Sequence, residues 1–288
     1  MQVNPSEHSV FLTEPALNPK ENREKLVESV LEDFQFAACK VETQATLTLI
    51  SQAKSSGLVL DSGDGVTHCV PICDGFILEK AIRRVNIAGH DISKYLASLL
   101  QKRGYRFFSG YEIDQVRQIK EQSCYLALDP VRESYLYNET TACNFIYELP
   151  DKNIVTVRSE RYQASEVLFY PGLLGKEEFN VADILIESLV DTPDDFRLEL
   201  SRNILLSGGT TMLPGFAQRL KKDIRDKLKE RNLGFKIKIN DALNRKILVF
   251  LGAAIVALII ENDPDQWISR EEWLEEGARC VYKFDIRE

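Results

Sequence analysis

The chain has 288 residues, 44% of them apolar and 28% charged, and its 44 acidic and 36 basic side chains leave it at −8 near neutral pH. That length supports more than one packed lobe, and that sign excludes a nucleic-acid groove, which needs clustered Lys and Arg. The opening MQVNPSEHSVFLTEP carries charges and Pro where a signal peptide needs an apolar stretch, and the longest apolar run, Ile247–Ile260, is short of the roughly 20 residues of a membrane span.

In chain order, Asn18-Pro19 ahead of KENREKLVESVLEDFQF predicts a capped helix with Pro at its first position. Its apolar stripe is Leu26, Val27, Val30, Leu31 and Phe34. Gln44 to Ala53 predicts a second helix, closed by Ser55-Ser56-Gly57. GLVLDSGDGVTHCVPICDGF then reads as a strand, an Asp/Gly turn and a second alternating strand, which is a hairpin signal. His68, Cys69 and Cys73 within it have the chemistry of metal ligands. Strand alternation sets His68 on the face opposite the two thiols, and no zinc site is expected. Six cysteines in a chain this long make no dense disulfide framework, which fits a reducing cytosol.

IAGHDISKYLASLLQKRGY predicts a small-residue turn and a helix bearing Ile92, Tyr95, Leu96, Leu99 and Leu100, ended by Gly104. Asp114–Leu126 reads as helical, and Asn144–Val157 as mixed around a Leu149-Pro150-Asp151 turn. RNILLSGGTTMLPGFAQRLKKDI is a second strand-turn-helix unit, with Phe216, Leu220 and Ile224 at helical spacing. The basic run from Arg219 to Lys229 interleaves acids and reads as a solvated helix face rather than an anion patch. FKIKI alternates as a strand, and KILVFLGAAIVALII reads as strand, Gly turn and buried helix. Strands and helices alternate throughout without a repeat, which argues an α/β fold.

Two glycine turns carry the chemistry: Asp61-Ser62-Gly63-Asp64-Gly65 and Ser207-Gly208-Gly209-Thr210-Thr211-Met212. Glycines there let backbone N–H groups converge on an anion with no side chain in the way. Either motif alone is compatible with a plain hairpin turn. Together, in this order and with IAGHD between them, they are specific.

LTEPALNPKENREK, DSGDGVTH, IAGHD, LSGGTTMLPG and RKILVFLG resemble the actin family in order and spacing over nearly the whole chain, and most closely its actin-related branch. The resemblance implies the actin-like ATPase fold shared with Hsp70 and the sugar kinases, and an ATP/ADP cleft between two lobes with Mg2+ at the phosphates. It implies Gly63, Asp64, Gly65 and Val66 as a second phosphate loop, with Asp61 holding the cation through water. It implies Gln44 and His68 as the residues that orient the attacking water. Gly89, Lys120, Glu121, Gly209, Thr210, Met212 and Lys246 take the nucleoside-binding positions.

Three departures from the family accompany it. The first strand hairpin, with its DxGSG-type phosphate loop, and the outermost lobe are expected to be missing, which weakens nucleotide binding and leaves a sheet edge and part of a core exposed. Leu213 replaces an aromatic residue at the adenosine; the usually Pro-rich approach to Lys246 reads DALN, and Ala253 stands for a second Gly after FLG. By position, residues 1–51 and 248–288 are expected in the outer lobe, 52–87 and 176–247 in the inner one, and 88–175 in an inserted lobe. The implied role is a cytoplasmic, ATP-binding subunit of the complex that nucleates branched actin filaments, hydrolysing ATP weakly at most. Its expected partners are actin, an actin-related protein 3-like subunit, scaffold subunits and nucleation-promoting activators, with no nucleic acid and no membrane insertion. A pseudo-ATPase interaction module, or another actin-related protein, is the alternative; a sugar-kinase-like enzyme would need an acceptor pocket with its own base. In the tail WISREEWLEEGARCVYKF, Trp267, Trp273, Tyr282 and Phe284 either pack on their own lobe or line a partner groove.

Overall fold

Residues from opposite ends of the sequence build the smaller of two units, Met1–Ser55 with Ile247–Glu288, while Ser56–Lys246 forms the larger. The computed structural model describes residues 4–107 and 110–284, so the outermost residues of the expected segments 1–51 and 248–288 lie outside the described residues. The chain enters through β1 (Ser9–Glu14), α1 (Lys20–Glu28), β2 (Ala38–Thr43) and α2 (Gln44–Ser51), with β1 and β2 parallel. Neither strand is among the elements expected above, although in β2 Cys39 and Val41 alternate with Lys40 and Glu42 in the period of a short strand. Lys40 is nevertheless buried, its ammonium over the Phe284 ring.

The start of α1 differs from expectation. Pro19 occupies the N-cap with no side-chain cap, and Asn18 instead donates to Glu14 at 2.8 Å. A π-helical turn, Ser29–Asp33, continues α1. The extra residue per turn rotates the apolar stripe. Val27, Val30 and Leu31 are therefore buried while Phe34 is 63% exposed, and Phe36 packs on the cluster in its place.

The larger unit opens with β3 (Gly57–Ser62), β4 (Thr67–Cys73), β5 (Phe76–Ile77) and β6 (Arg83–Val85). Helices α3 (Gly89–Lys102), α4 (Gly110–Ser123) and α5 (Pro130–Glu139) follow. The expected turn at Leu149-Pro150-Asp151 joins β7 (Phe145–Glu148) to β8 (Ile154–Val157). Then come α6 (Glu160–Gln163), α7 (Val181–Asp191), α8 (Asp194–Ser201), β9 (Ile204–Ser207), α9 (Phe216–Glu230) and β10 (Ile239–Asn240). The main sheet runs β10-β9-β3-β4-β5, with β6 also paired to β4. Strand β3 is parallel to β9 and antiparallel to β4, which places both glycine turns at the same end of β3. Ile92, Leu96 and Leu100 of α3 and Leu220 and Ile224 of α9 are fully buried on this sheet's core. FKIKI supplies only Ile239 to the two-residue β10; Phe235 and Ile237 ahead of it pack on the core without strand pairing.

The return to the smaller unit is α10 (Leu248–Ile260), β11 (Ile268–Ser269) and α11 (Arg270–Glu276). The expected strand and glycine turn are absent: α10 runs unbroken through Gly252, where an added Cβ would stand 2.0 Å from the Leu47 carbonyl oxygen. Glycine there lets α10 lie directly on α2 instead of ending a strand. Nor is α10 buried all round, for Phe250 and Leu258 are 70% and 72% exposed. Among the described residues no helix is long and apolar enough to cross a membrane.

Candidate functional site

The two glycine turns meet on one carbonyl. At the β3–β4 turn the Gly63 N–H donates to Val66 at 3.2 Å. Gly63 O then accepts from the Gly89 N–H at 3.1 Å and from Thr210 Oγ1 at 2.6 Å. Asp64 O accepts from the His90 N–H at 2.7 Å, and Lys120 Nζ donates to Gly89 O at 2.8 Å. Three motifs separated by up to 147 positions are thus tied together. Space is tight here: an added Cβ at Gly89 would lie 2.8 Å from Thr210 Oγ1, and at Gly208 (φ +88°) 2.2 Å from Ser62 O. Only glycine permits that second approach.

Inside this frame the DSGDG loop keeps donors to spare. The N–H groups of Asp64, Gly65 and Val66 make no hydrogen bond among the described residues, and added Cβ atoms at Gly63 and Gly65 would meet nothing within 4 Å. Unspent N–H groups on an open loop suit an oxyanion. Beneath the loop, Ser207, Asp61, His68 and Arg84 form one row across β9, β3, β4 and β6. Asp61 is half-buried. Lost hydration raises its pKa, and a hydrogen bond with Ser207 partly offsets this. His68 is 2% exposed and its Nε2 has no hydrogen-bond partner. Burial, and then the nearby Arg84 cation, push its pKa down to about 4, so the ring is neutral near pH 7. A half-buried carboxylate beside a neutral imidazole with an orphaned nitrogen is an incomplete polar site that a hydrated cation and a phosphate group fit.

Lys120, Lys246 and Met212 border the same frame within the larger unit. Lys120 is buried, which lowers its pKa, with Asp64 and then the exposed Glu121 opposing the shift. The Lys246 side chain crosses Gly209, its Cε 4.0 Å from where a Cβ would stand, and Met212 is 36% exposed on the same turn. Gln44 lies in the smaller unit, at the start of α2.

The actin family profile matches residues 1–284. The chain belongs to the actin family. It is 42% identical over 291 residues to actin-related protein 2 of Arabidopsis thaliana, covering 98% of this chain and 75% of that one. Against actin-related protein 2 of Caenorhabditis briggsae it is 41% identical over 297 residues, 100% and 75% covered. For Saccharomyces cerevisiae the same-named protein is 40% identical over 290 residues, 98% and 74% covered. The mixed sheet with its packed helices is this actin-like fold.

Two residues inside the quoted motifs make bonds that the motifs do not reveal. Arg245 donates to Thr211 O at 2.8 Å, and its own carbonyl accepts from the Gly208 N–H, so it fastens the segment before Lys246 to the second glycine turn. Thr67 bonds Ser62 Oγ and the Ile87 carbonyl, each at 2.8 Å, locking the base of the hairpin to IAGHD. Ordinary Arg and Thr carry no signal of this kind; only their neighbours across the fold do. Leu213, which stands where the family has an aromatic at the adenosine, is 8% exposed and belongs to the core. Cys69 and Cys73 are core residues too, with burial pushing their thiols up to about 12 and about 11. A cavity of about 450 Å³ lined by Cys124, Tyr125, Tyr137, Cys143 and Arg161 includes none of the expected nucleotide residues. Its Arg161 spends its donors on the Ser123 and Cys143 carbonyls, as part of the framework.

Proposed function

We propose that the chain is an ATP-binding actin-related protein acting in the complex that nucleates branched actin filaments, with a mainly structural and regulatory role and slow ATP hydrolysis at most. The observation that carries the nucleotide part of this reading is the Gly63 carbonyl, on which the DSGDG, IAGHD and SGGTT turns converge with three loop N–H groups still unspent. In this reading those N–H groups donate to phosphate oxygens, Asp61 holds Mg2+ through water, and neutral His68 positions water by its free nitrogen. Gln44 keeps the water-orienting role that the family resemblance implies. Lys120, Glu121, Gly89, Gly209, Thr210, Met212 and Lys246 bind the nucleoside. The cation, when bound, offsets phosphate charge, and positioning is most of what phosphoryl chemistry asks of a protein. Within the larger unit, residues 88–175 are assigned to an inserted lobe.

The relatives named actin-related protein 2 support the cytoskeletal part, with actin, an actin-related protein 3-like subunit and small scaffold subunits as partners in the cytoplasm. Affinity purification with mass spectrometry from the native cell tests it. Recovery of actin, a second actin-related protein and small scaffold subunits is expected. Recovery of the protein alone, or only within chromatin-remodelling assemblies, would overturn the assignment.

A further inference from the structure

Helix α9 sorts its basic residues by face. The inward-facing cations are matched: Arg219 is 1% exposed and bonded to Glu166 and Asp223, and half-buried Lys227 pairs with Asp183 at 2.7 Å, while exposed Arg231 just past the helix end pairs with Glu187. The outward cations are not. Lys221, Lys222, Arg225 and Lys229 are exposed, and among the described residues none of them makes an ion pair. With Leu128 and the single carboxylate of Asp226 they line a groove of about 440 Å³. Lys222 Nζ fixes one wall by donating to the Leu128 carbonyl at 3.1 Å, and the Leu128 side chain is 53% exposed beside it. The basic run is therefore a solvated face only in part.

We infer that this outer face of α9 is a docking surface for a short acidic segment of a partner protein. Charge complementarity selects the occupant. A stripe from Lys221 to Lys229 is about 12 Å long at the helical rise, on a chain whose overall charge is −8. A long polyanion, whether nucleic acid or anionic membrane, extends well past a stripe of four cations, and a chain of net charge −8 is a poor match for it as a whole. A short segment stays within about one Debye length of the four cations, roughly 8 Å at physiological salt. Apolar side chains on such a segment have Leu128 to rest on.

The test is fluorescence anisotropy of a labelled peptide of about twelve Asp and Glu residues with one Leu, titrated with the full chain. Binding is expected to weaken with added salt and to fall about tenfold or more in K221E/K222E/R225E/K229E. The matched reversal K25E/K80E/K94E/K102E, at exposed lysines elsewhere, is expected to leave it unchanged. Circular dichroism checks that Phe216, Leu220, Ile224 and Leu228 still seat the helix, and the milder set K221Q/K222Q/R225Q/K229Q serves if the reversals misfold. Equal losses in both reversals would overturn the inference. So would equal binding of a single-stranded oligonucleotide or of phosphatidylserine vesicles through the same four residues. Self-association abolished by the α9 variant would assign the face to a second copy of this chain and overturn it as well.

Discussion

At the scale of single residues, His68 is the most informative side chain, because its environment turns an ordinary strand histidine into a pH-dependent weakness. Unfolded, it takes up a proton near 6.5; folded, only near about 4. Between those values the unfolded state binds more protons, so stability is full above about 6.5 and lost as pH falls toward 4, by up to about 3 kcal/mol. Urea unfolding from pH 7.5 to 4.5 checks this, and His68→Gln is expected to flatten the slope contributed by this residue. An unchanged profile would mean that the folded ring protonates normally. The tail aromatics show the opposite, settled condition. Trp273 is buried and donates to Glu32 at 2.6 Å, Tyr282 OH donates to Glu24 at 2.7 Å, and Trp267 sits edge-on to Phe11. All four belong to their own unit's packing, so they do not form a ready-made row of free anchors. Spacing in the sequence leaves both possibilities open, since a buried and an exposed aromatic look alike in one dimension.

At the scale of elements, α10 shows how composition misleads. Its apolar run with one internal Gly reads as strand, turn and helix, yet the glycine serves contact between helices. Replacing Gly252 by Ala puts a methyl group against the Leu47 carbonyl and is expected to cost about 1–3 kcal/mol, an overpacking penalty that outweighs the helix propensity Ala brings. Chemical denaturation checks it; a neutral or stabilising effect would show that the two helices separate easily. Strong local signals survive well by comparison. The β3–β4 hairpin and the helices α3 and α9 are legible because each buries one periodic face, and the Gly104 N–H closes the end of α3 as a left-handed residue (φ +95°). The weak elements are those whose partners are remote: β1 and β2 pair across an intervening helix, and β10 is a strand only because β9 accepts it.

At the scale of the whole molecule, the smaller unit is assembled from both ends of the chain and has its own buried cluster, distinct from that of the larger unit. Both tryptophans, Trp267 and Trp273, fall in it. Tryptophan fluorescence therefore follows the smaller unit alone, while far-ultraviolet circular dichroism follows both. The two probes are expected to give non-coincident urea transitions, with fluorescence changing first because the smaller cluster buries less apolar surface. Coincident curves would show a single cooperative block. By itself the sequence determined the α/β class, the order of the glycine turns and the membership of the actin family, because turns and amphipathic faces are written in neighbouring residues. Only the tertiary structure decided that Gly63, Gly89, Lys120 and Thr210 share one hydrogen-bonded centre, that His68 is orphaned and neutral, and which cations of α9 stay unpaired. Those properties depend on burial and on partners far along the chain, which local periodicity does not record.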